Sequence, residues 1–156
     1  MRLNEEELVR WGLAIGREVQ PPVFIGLEGP LGAGKSVLAR AVGAGAGVEE
    51  AMPSPTFNLL LRYDLPSGVS VIHMDLYRIV DVEEIWELGW GDLGAGPEIV
   101  LVEWPDQAGP HLPEHHWRIR LSVPRQHRNL RDVEVLRVGA PPPLPGFPMT
   151  VAGRGR

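Results

Sequence analysis

One eight-residue segment constrains the fold of this chain more than any other part of it. Residues 29–36 read Gly-Pro-Leu-Gly-Ala-Gly-Lys-Ser and match the pattern G-x-x-x-x-G-K-[ST] in full. Glycines in such a loop let the backbone wrap round an anion with its N–H groups pointing inward, and the following helix presents its positive end to the same anion. The pattern predicts a phosphate-binding loop, called the P-loop below, in which Lys35 reaches the β- and γ-phosphates and Ser36 binds Mg²⁺.

The distribution of basic residues supports this prediction. Of the 15 Lys and Arg residues, Lys35 is the only lysine. A phosphate-binding loop needs a compact ammonium group on a flexible stem, which the planar guanidinium of arginine replaces poorly. The alternative is a glycine-rich turn that matches by accident. The context disfavours it, because the motif follows a predicted strand at 23–27 and opens a predicted helix at 35–42.

Composition limits the class of protein. A chain of 156 residues fits one domain, and the lack of cysteine excludes disulfides and thiolate metal sites. The net charge of -5 argues against a broad non-specific grip on nucleic acid. No apolar run approaches the roughly 20 residues of a membrane span, and the N-terminal segment lacks a signal-peptide pattern. We expect a cytoplasmic, membrane-free protein, with one domain over residues 1–139 and a flexible Pro-rich tail over 140–156.

The alternation of apolar segments predicts the architecture. Asn4 reads as the cap of an amphipathic helix, and Asp81 as the cap of a later one. Strands are predicted at 23–27, 57–63, 69–74, 99–102, 117–123 and 132–138. The last two alternate and read as a hairpin. The pattern indicates an α/β protein of P-loop NTPase type, in which helices flank a mostly parallel sheet with an antiparallel edge hairpin.

Two acidic residues, Asp75 and Glu103, follow predicted buried strands. In an open parallel sheet the carboxyl ends of the strands line the ligand crevice. An acid there can bind Mg²⁺ directly or through water, or can orient the attacking water. For either acid alone, the alternative is that it is merely the first polar residue after a strand. The spacing does not decide which of the two holds the metal.

A third candidate is Thr56, in the segment Ser-Pro-Thr-Phe at 54–57. This segment lies between the P-loop helix and the next predicted strand, where many P-loop proteins keep a nucleotide-sensing loop. The Thr56 hydroxyl could reach the γ-phosphate or Mg²⁺. The alternative, which the sequence leaves equally open, is a turn whose Ser and Thr side chains satisfy their own backbone.

Four blocks of residues resemble the TsaE family, the small ATPases of tRNA threonylcarbamoyladenosine biosynthesis. They are GPLGAGKS from Gly29, SPTF from Ser54, HMDLYR from His73 and VEWP from Val102. The segment DVEEIWELG from Asp81 adds to the likeness, which covers the chain from about residue 4 to residue 123. In this order and spacing, the blocks are far more specific than the P-loop alone.

The resemblance implies a role for each matching residue. Ser36 and Glu103 would bind Mg²⁺, Asp75 would be the acid needed for hydrolysis, and Thr56 would lie in a switch-like loop. The residues implied to contact ATP are Asn4, Glu5, Leu31, Gly32, Ala33, Gly34, Lys35, Ser36 and Trp104. Two positions depart from the family's usual pattern. Pro30 stands where Asp is common and removes one backbone N–H, and Ser36 stands where Thr is common but keeps the hydroxyl.

The resemblance also implies partners. The protein would act with TsaB-like and TsaD-like proteins, which install the modification next to the anticodon. Its ATP hydrolysis would reset that complex between turnovers, the group transfer would belong to a partner, and tRNA would be contacted only indirectly.

Three other classes of P-loop protein are alternatives: a small-molecule kinase, a GTPase and a binding module. A small-molecule kinase needs an acceptor pocket and an arginine-bearing lid, and Arg62 and Arg78 are the only central candidates. A GTPase needs the guanine-reading motif N/T-K-x-D, which requires a second lysine that this chain lacks. The kinase is therefore the main alternative. A binding module with an inert P-loop is a weaker one.

Overall fold

The computed structural model describes residues 1–55 and 59–147. Its helices are α1 (Glu5–Glu18) and α2 (Lys35–Ala46), and short 3₁₀ helices span Val82–Leu88, Trp90–Asp92 and Pro105–His111. The strands are β1 (Arg2–Asn4), β2 (Val23–Glu28), β3 (Leu60–Asp64), β4 (Ser70–Asp75), β5 (Glu98–Glu103), β6 (His116–Ser122) and β7 (Leu130–Val138).

The strands form one seven-stranded sheet in the order β1-β7-β6-β2-β5-β4-β3. Its centre is parallel, because β2 pairs in parallel with both β5 and β6, and β4 pairs in parallel with β5. Antiparallel pairs lie at both edges: β6 with β7 and β7 with β1 on one side, and β4 with β3 on the other. The predicted α/β fold with a mostly parallel sheet and an edge hairpin is confirmed. The short strand β1 was not predicted.

Both α-helices pack on one face of the sheet. A capping box starts α1, in which Asn4 Oδ1 accepts from Glu7 N at 2.8 Å and Asn4 N donates to Glu7 Oε1 at 2.9 Å. Glycine lets α1 and α2 approach closely, because a Cβ at Gly16 would lie 2.1 Å from Val42 O. Their apolar faces share a core with alternate strand residues such as Ile25 and Leu101.

The opposite face of the sheet is covered by short 3₁₀ helices. Residues such as Phe24 and Val100 point to this side and pack against Ile85 and Trp90. Asp81 does cap the segment that follows it, because its side chain accepts from Glu83 N at 3.0 Å. The segment is a 3₁₀ helix, however.

The described part of the predicted tail, residues 140–147, has no helix or strand, but it lies against the domain. Trp117 Nε1 donates to Pro142 O at 2.7 Å, and Trp11 Nε1 donates to Pro145 O at 3.0 Å. The Phe147 ring lies 4.7 Å from the Trp11 ring, centroid to centroid. A domain boundary at residue 139 stays a prediction. Within residues 1–55 and 59–147, no helix is both long enough and apolar enough to cross a bilayer.

Candidate nucleotide-binding site

The P-loop joins the end of β2 to the start of α2, as the sequence predicts for this motif. All three of its glycines have positive φ, and two of them show how the loop is formed. Gly29 has φ 146°, and a Cβ there would lie 2.4 Å from Leu121 O. Gly34 has φ 107° and precedes the first residue of α2. Side chains are disfavoured at such φ values, so these glycines let the loop turn sharply into the helix.

Lys35 lies at the base of the loop, with only 5% of its surface exposed. Its Nζ donates to Gly29 O and, at 3.0 Å, to Pro30 O. It also lies 4.6 Å from the centroid of the Trp104 ring. Burial lowers the pKa of Lys35, and the charges of Glu103 and Asp75 oppose that shift. The ammonium is thus held by neutral groups, so it can bind an anion without first breaking an ion pair.

Ser36 and Glu103 come together because β2 and β5 are adjacent and parallel, with Leu27 opposite Glu103. Ser36 Oγ donates to Glu103 Oε2 at 3.3 Å. A hydroxyl and a carboxylate are hard oxygen donors of the kind that Mg²⁺ prefers. Among the described residues, no group of three or more His, Cys, Asp or Glu could hold a metal alone. The pair fits Mg²⁺ that takes its other ligands from phosphates and water.

Asp75 ends β4 directly beside Glu103, its register partner in β5. Its Oδ1 accepts from Tyr77 N at 2.9 Å, and the residue is 8% exposed. Burial raises the pKa of Asp75, the Tyr77 N–H partly offsets this, and the charge of Glu103 adds to the rise. The two predicted acids therefore lie side by side at the carboxyl ends of β4 and β5 and influence each other electrostatically.

These groups line one cavity of about 340 Å³ at the carboxyl ends of the central strands. The predicted residues that line it are Leu31, Gly32, Gly34, Lys35, Ser36, Asp75, Glu103 and Trp104. Ala33 is fully buried. Thr56 lies outside the described residues. A larger cavity of about 560 Å³ lies beside Met1 and Arg120, but Lys35, Ser36 and the two acids do not line it. The predicted phosphate-binding residues therefore belong to the smaller cavity.

The two predicted N-terminal contacts differ in position. Glu5 lines a separate cavity of about 260 Å³, which shares Gly34, Val37 and Arg131 with the 340 Å³ cavity. It therefore lies next to the predicted phosphate site. The Asn4 side chain is instead taken up by the capping box of α1.

Sequence reasoning missed Arg131, which holds the P-loop from β7. Its Nε donates to Ala33 O at 3.0 Å and its Nη2 to Gly32 O at 3.3 Å. The same guanidinium bonds to the carbonyls of Arg128 and Leu130. Nothing in the local sequence marks this arginine as part of the site, because its two P-loop partners lie nearly a hundred residues earlier in the chain.

Sequence reasoning also gave no role to His73, which is fully buried in β4 with its Nε2 2.7 Å from Glu103 Oε2. One signal could have found it, namely a histidine inside an otherwise apolar predicted strand.

A family model described as "Threonylcarbamoyl adenosine biosynthesis protein TsaE" matches residues 3–131 of the chain. Relatives with the name tRNA threonylcarbamoyladenosine biosynthesis protein TsaE also align with it. The one from Treponema pallidum (strain Nichols) is 31% identical over 120 residues, which cover 77% of this chain and 87% of the relative. The one from Rickettsia felis is 36% identical over 131 residues, which cover 83% and 75%.

A solved structure supports the fold. The crystal structure of Bacillus subtilis YdiB matches with a TM-score of 0.70 and 24% identity, covering 89% of this chain and 84% of that one. The relative from Bacillus subtilis (strain 168) is 30% identical over 138 residues, which cover 88% of this chain and 84% of the relative.

Proposed function

The chain belongs to the TsaE family of tRNA threonylcarbamoyladenosine biosynthesis proteins, and from that premise we propose that it is a Mg²⁺-dependent ATPase whose hydrolysis drives a tRNA-modifying complex. ATP binding follows from the family. The observation that carries the hydrolytic role is the gathering of Lys35, Ser36, Glu103 and Asp75 in one cavity of about 340 Å³.

The residues divide the work of phosphate binding. The N–H groups of the P-loop and the start of α2 surround the phosphates, and the Lys35 ammonium leaves its carbonyl partners for phosphate oxygens. Ser36 Oγ and Glu103 would hold Mg²⁺, which neutralises charge on the β- and γ-phosphates when bound. Trp104, whose ring flanks Lys35, walls this part of the cavity.

Asp75 takes the role of orienting the attacking water. The carboxylate lies beside Glu103 and lines the same cavity. Because burial raises its pKa, the Asp75 carboxylate is a better proton acceptor than an exposed aspartate would be. Thr56 remains a proposed contact of the γ-phosphate from the segment that precedes β3.

We assign the group transfer to a partner and propose that this protein works on a complex of TsaB-like and TsaD-like proteins. The net charge of -5 supports indirect rather than direct contact with tRNA. On this proposal the protein acts in the cytoplasm, as one ATPase domain over residues 1–139.

The positions of the two candidate lid arginines disfavour the kinase alternative. Of its two candidate lid arginines, Arg62 bonds to Asp64, Ser70 and Glu98. Ser70 and Glu98 begin β4 and β5, so Arg62 lies at the amino ends of these strands, whereas the phosphates would bind at the carboxyl ends. Only Arg78 lines the nucleotide cavity.

Steady-state ATP hydrolysis tests the proposal. We expect slow turnover for the protein alone and clear stimulation when TsaB-like and TsaD-like proteins are added together, because P-loop proteins are often slow until a partner completes the site. Absence of stimulation, combined with ATP-dependent labelling of a small hydroxyl acceptor, would favour the kinase.

A further inference from the structure

The interior of β4 contains one ionisable side chain, His73. All six residues of this strand are buried, and His73 has no exposed surface. Its Nε2 lies 2.7 Å from Glu103 Oε2, the same oxygen that accepts from Ser36 Oγ at 3.3 Å. One oxygen of the proposed metal ligand is therefore held from two sides, by the P-loop helix and by the neighbouring strand.

The second ring nitrogen decides how this contact works. His73 Nδ1 is buried and has no hydrogen-bond partner among the described residues. A carboxylate oxygen only accepts, so Nε2 must carry the hydrogen of the 2.7 Å contact. A hydrogen on Nδ1 as well would be an unpaired donor in the interior, which is costly. The contact therefore places a hydrogen on Nε2, directed at the Glu103 carboxylate.

We propose that His73 is a positioning residue: its Nε2–H fixes the Glu103 carboxylate in the orientation that Mg²⁺ needs. The inference rests on the proposed Mg²⁺-ATP function and adds a residue to it. A glutamate side chain alone can rotate about its terminal bond, whereas this one is tethered at Oε2 by a donor that the sheet holds rigidly. Such partners of metal ligands typically change metal affinity by about 10- to 100-fold when they are removed.

Two amide substitutions separate positioning from packing. In His73→Gln the amide nitrogen can reach the place of Nε2, whereas in His73→Asn it is too short to reach Glu103. Both are uncharged, so neither test depends on titration. His116→Gln is the control, because His116 is also buried and both of its ring nitrogens bond away from the cavity: Nδ1 to Pro113 O at 2.8 Å, and Nε2, which accepts from Arg118 Nε at 3.4 Å.

The measurement is the dissociation constant of ATP for the full chain, by calorimetric titration with Mg²⁺ and again with EDTA. The readout is the dissociation constant in EDTA divided by the dissociation constant in Mg²⁺, which is the gain in ATP affinity that Mg²⁺ provides. We expect His73→Asn to reduce the wild-type ratio by about tenfold or more, with the EDTA value unchanged. The ratio for His73→Gln should stay within about threefold of the wild-type ratio, and the ratio for His116→Gln should equal the wild-type ratio.

Three results would overturn the proposal. The first is a wild-type ratio in His73→Asn. The second is an equal loss of affinity with and without Mg²⁺ in both His73 variants, which indicates packing alone. The third is a wild type without any Mg²⁺ effect, which removes the metal role from the proposed function as well. The first two leave that function intact, so the two failures are distinguishable.

A second measurement needs no variant and remains valid if the substitutions unfold the protein. Long-range proton–nitrogen correlation spectra report the tautomer of each of the 5 histidines in the native chain. We expect His73 to show the Nε2–H tautomer and its nitrogen signals to move on addition of Mg²⁺ to the ATP complex. An Nδ1–H tautomer would contradict the hydrogen bond on which the proposal stands.

Discussion

The two ends of the β4–β5 ladder carry similar residues in different electrostatic settings. At the amino end, Ser70 is the register partner of Glu98. Glu98 Oε2 accepts from Arg62 Nη1 at 3.1 Å and its Oε1 from Gly94 N at 2.7 Å. Ser70 Oγ donates to Asp64 Oδ1 at 2.6 Å, and Arg62 joins this cluster through Asp64. The buried acid here has a cation and a backbone donor as partners.

At the carboxyl end, Asp75 is the register partner of Glu103. Glu103 accepts from the Ser36 hydroxyl and the His73 ring, and Asp75 from a backbone N–H. The nearby cation, Lys35, bonds to carbonyl oxygens of the P-loop. The acids and the lysine are thus close in space, but each is bonded to groups without a fixed charge.

The contrast indicates which end is structural and which is functional. A buried acid that is paired with an arginine has its charge compensated within the fold, whereas Asp75 and Glu103 lie near Lys35 without a hydrogen bond to it, so these charges are available to a ligand. Mg²⁺ and phosphates would supply the missing opposite charges. We therefore predict that the same residue types stabilise the sheet at one end and bind a ligand at the other, and each prediction below tests this division.

The largest effect is expected for hydrolysis in Asp75→Asn. The amide cannot accept a proton from water, so kcat should fall by about 100-fold or more, the range of a lost general base. The dissociation constant of Mg²⁺-ATP should change by less than about threefold. Single-turnover hydrolysis and calorimetric titration measure the two. A larger loss in binding than in hydrolysis would reassign Asp75 to the metal.

Lys35→Ala should weaken binding of Mg²⁺-ATP by about a hundredfold, because hydrogen bonds to a charged donor contribute roughly 1.5–3 kcal/mol. Arg62→Ala, which removes the cation at the amino end, should leave ATP affinity unchanged. Both constants come from the same titration. Unchanged ATP affinity in Lys35→Ala would contradict the assignment of the site. A loss of ATP affinity in Arg62→Ala would contradict the difference in role between the two ends.

Glu103→Gln and Glu98→Gln form a matched pair on β5. Glu103→Gln should reduce the Mg²⁺-dependent gain in ATP affinity by about tenfold or more, with little change in stability. Glu98→Gln should lower the free energy of unfolding by about 1–2 kcal/mol, since Arg62 is half exposed and water screens part of the loss. Titration with and without Mg²⁺, and urea unfolding, give the two values. Equal behaviour of both variants would contradict the division of roles.

The fold was largely predictable from the sequence because its signals are local. The P-loop pattern, the apolar runs before Asp75 and Glu103, and the cap at Asn4 each lie within a few residues. The Asp81 segment was placed correctly, but its 3₁₀ geometry was not foreseen, because capping residues mark where a helix starts and not its hydrogen-bond pattern.

The site was predictable only in part, because its remaining contacts join distant segments. Arg131 meets the P-loop through the pairing of β7 with β6, and His73 meets Glu103 through the register of β4 on β5. The spacing of residues along the sequence predicts neither contact. The roles of Asp75 and Glu103 stay predictions, as does the contribution of Thr56.

The smallest effect concerns stability and distinguishes the two ends by sign. Burial raises the pKa of Asp75 above its ordinary value of 3.8, so the folded state binds its proton more tightly than the unfolded state does. The stability associated with the protonated acid is therefore present below pH 3.8 and is lost as pH rises through the folded pKa. At neutral pH the ionised Asp75 destabilises the fold, and Asp75→Asn should increase the free energy of unfolding by about 0.5–2 kcal/mol. Urea unfolding at neutral pH and near pH 3.5 should show this gain shrinking in acid. If Asp75→Asn instead lost stability at neutral pH, as expected for Glu98→Gln, the charge of Asp75 would be compensated within the fold as well as that of Glu98. The carboxyl end would then have no uncompensated charge for a ligand.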